Sequence, residues 1–133
     1  MISKKELIDI AIEARARSYS PYSNFAVGAA ILCQDGSVYI GANIENASYP
    51  LCMCGERNAI YNAMMDGKTS EDFLALAVVA DTEGPCSPCG ACRQVISELL
   101  PPNADIIMAN LHDDVRVVKA EELLPFAFDG KDL

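Results

Sequence analysis

The sequence predicts an α/β fold, with three α/β/α layers around a mixed central sheet of about five strands. Three observations carry this. Apolar stretches with helical and with strand periodicity alternate along the chain. An Asp35-Gly36 dipeptide between two apolar runs marks an antiparallel hairpin, and Phe73 to Ala80 is an almost unbroken apolar run of strand length, as in a strand covered on both faces.

In chain order, Ser3 and Glu6 form an S-x-x-E capping box, and Leu7, Ile10, Ala11 and Ala14 recur at helical spacing, predicting a first helix to about Tyr19. Ala26 to Cys33 and Val38 to Ile40 are the two hairpin strands. Ala42 to Met53 has no period, and its Asn43, Glu45, Asn46 and Ser48 read as a loop offering ligand-binding groups. A second helix starts near Cys54, with Ala59, Ile60, Ala63 and Met64 as its stripe and Gly67 as its stop. After the Phe73 to Ala80 strand and a loop through Pro88, Cys89 to Leu100 is a third helix, with Val95, Ile96 and Leu99 inward and Pro101-Pro102 ending it. Ile106 to Met108 and Val115 to Val118 are short strands, and Glu121 to Leu124 is a last helical turn before a frayed acidic terminus.

The 133 residues, 51% of them hydrophobic, are expected to form one domain, residues 1–133, with its own core. Ten Lys plus Arg stand against 19 Asp plus Glu, a net charge of -9 that repels nucleic-acid phosphates and anionic membranes. A small neutral ligand is expected instead. No stretch has the basic-then-apolar build of a signal peptide, and no apolar run is long enough to span a bilayer. The expected location is the cytoplasm, where the clustered thiols among the six cysteines bind metal more often than they form disulfides. Cys33, bounding an apolar run, reads as a small buried hydrophobe.

Cys89-Gly90-Ala91-Cys92 is a C-x-x-C pair at a helix start, where unpaired N–H groups and the dipole favour thiolates. Alone it fits a redox pair, half of a structural zinc site, a catalytic site or two core cysteines. Cys54-Gly55-Glu56 at the other helix start breaks the tie, because it adds a third thiolate and a carboxylate just beyond it. Three protein ligands leave one tetrahedral position on zinc for water, and an unbound carboxylate two residues away can take that water's proton.

These residues fit the [H/C]-x-E … P-C-x-x-C pattern of zinc nucleobase deaminases. The strings Pro21-Tyr22-Ser23-Asn24-Phe25, Asn43-Ile44-Glu45-Asn46-Ala47, Cys54-Gly55-Glu56-Arg57, Ser87 to Gln94 and Glu122-Leu123-Leu124-Pro125 resemble, in order, the small homotetrameric branch of the cytidine deaminase family. The resemblance implies one catalytic Zn²⁺ per chain on Cys54, Cys89 and Cys92, with Glu56 as proton shuttle. It implies a nucleoside pocket of Phe25, Asn43, Glu45, Ala47 and Tyr49, in which Asn43 and Glu45 bind the ribose. Arg57 would hydrogen-bond the cysteine ligands and offset the negative charge of three thiolates. It further implies a homotetramer with pockets near subunit interfaces, Phe128 rather than Phe126 reaching a neighbour's pocket. The implied activity is deamination of cytidine and deoxycytidine to uridine and deoxyuridine in pyrimidine salvage.

Two cysteines compete with this assignment. Pro85-Cys86-Ser87-Pro88-Cys89 is itself P-C-x-x-C, but only Cys89 and Cys92 straddle the predicted helix start, and Cys52 does not stand two residues before a glutamate. A noncatalytic module with a closed site of Cys54, Cys86, Cys89 and Cys92 is the rival from another class. A deaminase of another aminopyrimidine is a second, and the acidic balance opposes polynucleotide editing.

Overall fold

A computed structural model describes Met1–Leu133. Five strands form one sheet in the order β2-β1-β3-β4-β5, with β1 over Val27–Cys33, β2 over Val38–Ala42, β3 over Phe73–Ala80, β4 over Asp105–Asn110 and β5 over Val115–Lys119. Only β3 and β4 run parallel; β1 is antiparallel to β2 and to β3, and β5 to β4, so the sheet is mixed. The hairpin closes with Gly36 at φ +88 and the Cys33 N–H donating to the Ser37 carbonyl.

Alternation along β1 and β3 sorts the core into two layers. Ala30, Leu32, Ala75, Ala77 and Val79 face α1 (Lys4–Arg15), which contributes Leu7 and Ala11. Ala29, Ile31, Cys33, Leu76, Val78 and Ala80 face the other way, against Ala59, Ile60 and Ala63 of α2 (Gly55–Met65) and Ile96 of α3 (Gly90–Leu99). Each fully buried Ile or Leu contributes about 1.5–3 kcal/mol, so the three expected layers follow from where these side chains escape water. Two glycines set the spacing between layers. A Cβ on Gly28 would lie 2.0 Å from the Ala11 carbonyl oxygen of α1, and one on Gly41 would lie 2.3 Å from the Ala59 nitrogen of α2.

The capping box of α1 forms as expected, but the helix ends at Arg15 and not at Tyr19. Arg17 and Ser18 turn back on Ala14 and Arg15, after which the Tyr19 N–H donates to the Asn43 carbonyl at 2.9 Å. A partner far along the chain thus overrides the local helical period. Strand β5 is mostly exposed, an edge bearing Arg116 and Lys119. The end of the chain is less frayed than expected: Ala120–Glu122 and Gly130–Asp132 form short 3-10 turns, the latter capped by Asp129.

Candidate active site

One end of the sheet gathers the functional side chains. Val27, which begins β1, pairs there with Ala80, which ends β3, and Ala42, the end of β2, lies alongside. Helices α2 and α3 both start at this end, because each follows the strand or loop that arrives there. Their first residues lie beyond extended N-caps, Cys54 (φ -74, ψ 154) and Cys89 (φ -69, ψ 170), whose carbonyls accept the first helical bonds from Asn58 and Arg93. Two helix N-termini, each with unpaired N–H groups and a partial positive charge, therefore flank the same place.

Cys92, in the first turn of α3 and fully buried, joins them: the sulfurs of Cys54, Cys89 and Cys92 lie within 4.8 Å of one another. Cys54 and Cys89 are 3.7 Å apart, about the separation of two thiolates on one tetrahedral zinc with Zn–S bonds of about 2.3 Å. Arg57 Nη2 donates to Cys54 Sγ at 3.2 Å. Its Nε is buried without a partner. A hydrogen bond from Cys92, helped by Arg57, holds the Cys54 thiol well below the usual range, while the same bond with Cys54, together with burial, pushes Cys92 above it. Arg57 thus favours negative charge on Cys54 among three soft donors. The donor set is suited to a zinc ion.

Cys86 is not a member of the cluster. It lies buried in the core layer under α3, its N–H donates to the Ala109 carbonyl at 3.1 Å, and burial pushes its thiol up to about 11. Three sulfurs rather than four converge, which disfavours the closed-site rival. Cys52 lies apart, its sulfur between the N–H and the carbonyl of Asn46.

Glu56, in the first turn of α2, is only 4% exposed. A helix-start glutamate that merely offsets the dipole would stand in solvent. Burial pushes its carboxyl up to about 7, with the charge on Cys54 adding to the effect.

Beside the cluster is a cavity of about 370 Å³ lined by Ser23, Asn43, Glu45, Tyr49, Cys52, Met53 and Cys54. Cys54 belongs to both. Asn43 is a hub: its Oδ1 accepts from Ser18 Oγ at 2.5 Å and from the Val27 N–H at 2.9 Å, and its Nδ2 donates to the Phe25 carbonyl at 2.8 Å. One Nδ2 hydrogen is left over. Glu45 accepts the Tyr22 and Ser23 N–H groups on Oε1, at 3.0 and 3.1 Å, and the Ser23 hydroxyl on Oε2. That hydroxyl, more than the two amides, holds the carboxyl below its ordinary value.

Of the other residues singled out, Tyr49 lines the cavity yet is 67% exposed, whereas Phe25 is exposed and does not line it, only its backbone meeting Ser23 and Asn43. Ala47 and Phe128 do not line this chain's cavity; Phe128, 58% exposed, is tied to α3 by Gln94 Nε2 donating to its carbonyl at 2.9 Å. Phe126 stands fully in solvent at φ +56. Two contributors were not singled out from sequence. Ser23 holds the Glu45 carboxylate, and Arg93 holds the loop before Cys89 by donating to Pro88 O, Leu123 O and Ser87 Oγ. The adjacency of Arg93 to Cys92 was the available signal.

Residues 1–108 match the family model described as cytidine and deoxycytidylate deaminase zinc-binding region. The chain is 50% identical over 132 residues to a cytidine deaminase of Halalkalibacterium halodurans, covering 99% of this chain and 98% of that one. It is also 50% identical over 129 residues to that of Sporosarcina psychrophila, covering 97% and 93%. The crystal structure of a cytidine deaminase from Burkholderia pseudomallei superposes with a TM-score of 0.94 at 50% identity, covering 96% of this chain and all of that one.

Proposed function

The chain belongs to the cytidine and deoxycytidylate deaminase family, and we propose that it is a zinc-dependent cytidine deaminase, converting cytidine and deoxycytidine to uridine and deoxyuridine with release of ammonia. The observation that carries this reading is the buried Glu56 beside three convergent thiols, one of which, Cys54, also lines the cavity.

Cys54, Cys89 and Cys92 would hold the metal, with Arg57 and both helix N-termini offsetting the charge of the thiolates. When bound, zinc supplies the Lewis acidity that makes water nucleophilic at neutral pH. Glu56, with its carboxyl near 7, both accepts and donates protons at that pH. It takes one proton from the attacking water and places it on N3 of the base as the C4–O bond forms. It then moves the second proton to the 4-amino group, the C4–N bond breaks and ammonia leaves. The two protons of water end on N3 and on ammonia.

The free lone pairs select the sugar. Glu45 Oε2 has one acceptor position left beside the Ser23 hydroxyl, and Asn43 has one N–H left, so together they fit a single hydroxyl that donates to the first and accepts from the second. Tyr49 completes the nucleoside's surroundings in this reading. Exposed aromatic side chains at Phe25, Tyr49, Phe126 and Phe128 support a homotetramer in which Phe128 reaches a neighbour's pocket. The 133 residues are one catalytic domain, and the six free thiols favour a reducing cytoplasm and a role in pyrimidine salvage. No helix is long and apolar enough to cross a membrane.

Ammonia release from cytidine, followed on protein of measured zinc content, tests the reading. Turnover should rise in proportion to bound zinc up to one ion per chain; zinc-loaded protein without turnover would favour a binding module.

A further inference from the structure

Glu45 hangs from a loop with no helix or strand to fix its side chain, yet all but one of its lone pairs are spoken for. The Tyr22 and Ser23 N–H groups converge on Oε1, and the Ser23 hydroxyl takes one position on Oε2. Ser23 Oγ is itself held, since it accepts the Phe25 N–H at 3.0 Å. Asn24, between Ser23 and Phe25, sits at φ +58, a left-handed conformation that turns the chain so that the Phe25 N–H reaches Ser23 Oγ. The loop is anchored at both ends by the Asn24 N–H on the Ser20 carbonyl and by Asn43 Nδ2 on the Phe25 carbonyl. Ser23 and Glu45 both line the cavity that Cys54 borders.

We propose that Ser23 is a positioning residue for this reaction: its hydroxyl locks the Glu45 carboxylate in one rotamer, with a single Oε2 lone pair turned toward the cavity to accept a sugar hydroxyl. The proposal rests on the cytidine deaminase reading. It assigns Ser23 no contact with the reacting C4 or its amino group, so the residue acts on binding of the sugar and not on bond-making. Losing the hydroxyl frees Oε2 to swing away or to hydrate, and the cost appears in substrate affinity. A charge-assisted hydrogen bond of this kind supports an effect of about tenfold.

The test is steady-state kinetics of Ser23→Ala, Ser23→Thr, Glu45→Ala and the double variant Ser23→Ala/Glu45→Ala, all zinc-loaded, with wild type as reference. Wild-type turnover of cytidine establishes the underlying reading separately, so failure there is told apart from failure of the proposal. Ser23→Ala should raise KM for cytidine about tenfold and leave kcat within about twofold. Ser23→Thr, which keeps the hydroxyl, should restore KM. The double variant should be no worse than Glu45→Ala, because the serine acts only through the carboxylate. Thermal melting of each variant checks folding. If Ser23→Ala melts early, binding of uridine to Ser23→Thr and to Glu45→Ala below both melting temperatures decides: the first should match wild type and the second should be weaker. An unchanged KM in Ser23→Ala, a loss confined to kcat, additive losses in the double variant, or no rescue by threonine would overturn the proposal.

Discussion

Glu56 should make the metal-free protein less stable as the pH rises, and Glu56→Gln should remove that loss. The carboxyl is buried and displaced from 4.5 to about 7, which corresponds to about 3 kcal/mol against its ionisation in the folded state. For an acid whose folded value is raised, the stability of the protonated form is fully present below pH 4.5. It is lost progressively as pH climbs through about 7, because only the unfolded chain ionises freely. Glutamine mimics the protonated carboxyl at every pH. Chelator-treated wild type and Glu56→Gln should therefore unfold at similar urea concentrations near pH 4.5, whereas at pH 8 the variant should be more stable by up to about 3 kcal/mol, on the order of 10 °C in melting temperature. Equal stability of the two proteins at pH 8, or a variant weaker there than at pH 4.5 relative to wild type, would refute the burial argument.

Three further outcomes are expected from the fold and from the proposed assembly. Cys86→Ala should keep its zinc because its thiol lies outside the cluster, whereas Cys89→Ala or Cys92→Ala should lose it; atomic absorption on the purified variants decides. Gly28→Ala places a Cβ 2.0 Å from the Ala11 carbonyl oxygen, so α1 must shift, and urea denaturation should show a loss of about 3 kcal/mol. Light scattering should give four times the chain mass, and Phe128→Ala should raise KM if that ring completes a neighbour's pocket, while a fully active monomer would refute the shared pocket.

What was legible in the sequence were signals carried by neighbours in the chain. Ser3 and Glu6 announce the start of α1, Asp35-Gly36 the hairpin and the Phe73–Ala80 run the central strand, since caps, turns and burial on two faces leave local patterns. The three-thiol cluster was legible too, because the N-cap positions of Cys54 and Cys89 and the place of Cys92 in the turn after Cys89 are themselves local features. The end of α1 was not legible, as it depends on Tyr19 and Ser18 meeting Asn43 from another part of the chain. Asn43 shows the same limit within the site. From sequence it is a loop asparagine free to bind a ligand, but three of its hydrogen-bonding positions are taken by Ser18, Val27 and Phe25, a count that only the folded chain supplies. Ser23 went unassigned for a similar reason, because nothing local ties a serine to a glutamate 22 residues away.

The central claim is that Glu56 moves protons beside a three-thiolate zinc site, and turnover of cytidine by zinc-loaded Glu56→Gln tests it most directly. Glutamine keeps the shape and fits the buried position but cannot accept a proton from water. Zinc content and folded structure, measured on the same preparation, should match wild type while the rate falls by at least about 10²–10⁴-fold. A folded, zinc-loaded Glu56→Gln protein that deaminates cytidine within a few-fold of wild type would contradict the account.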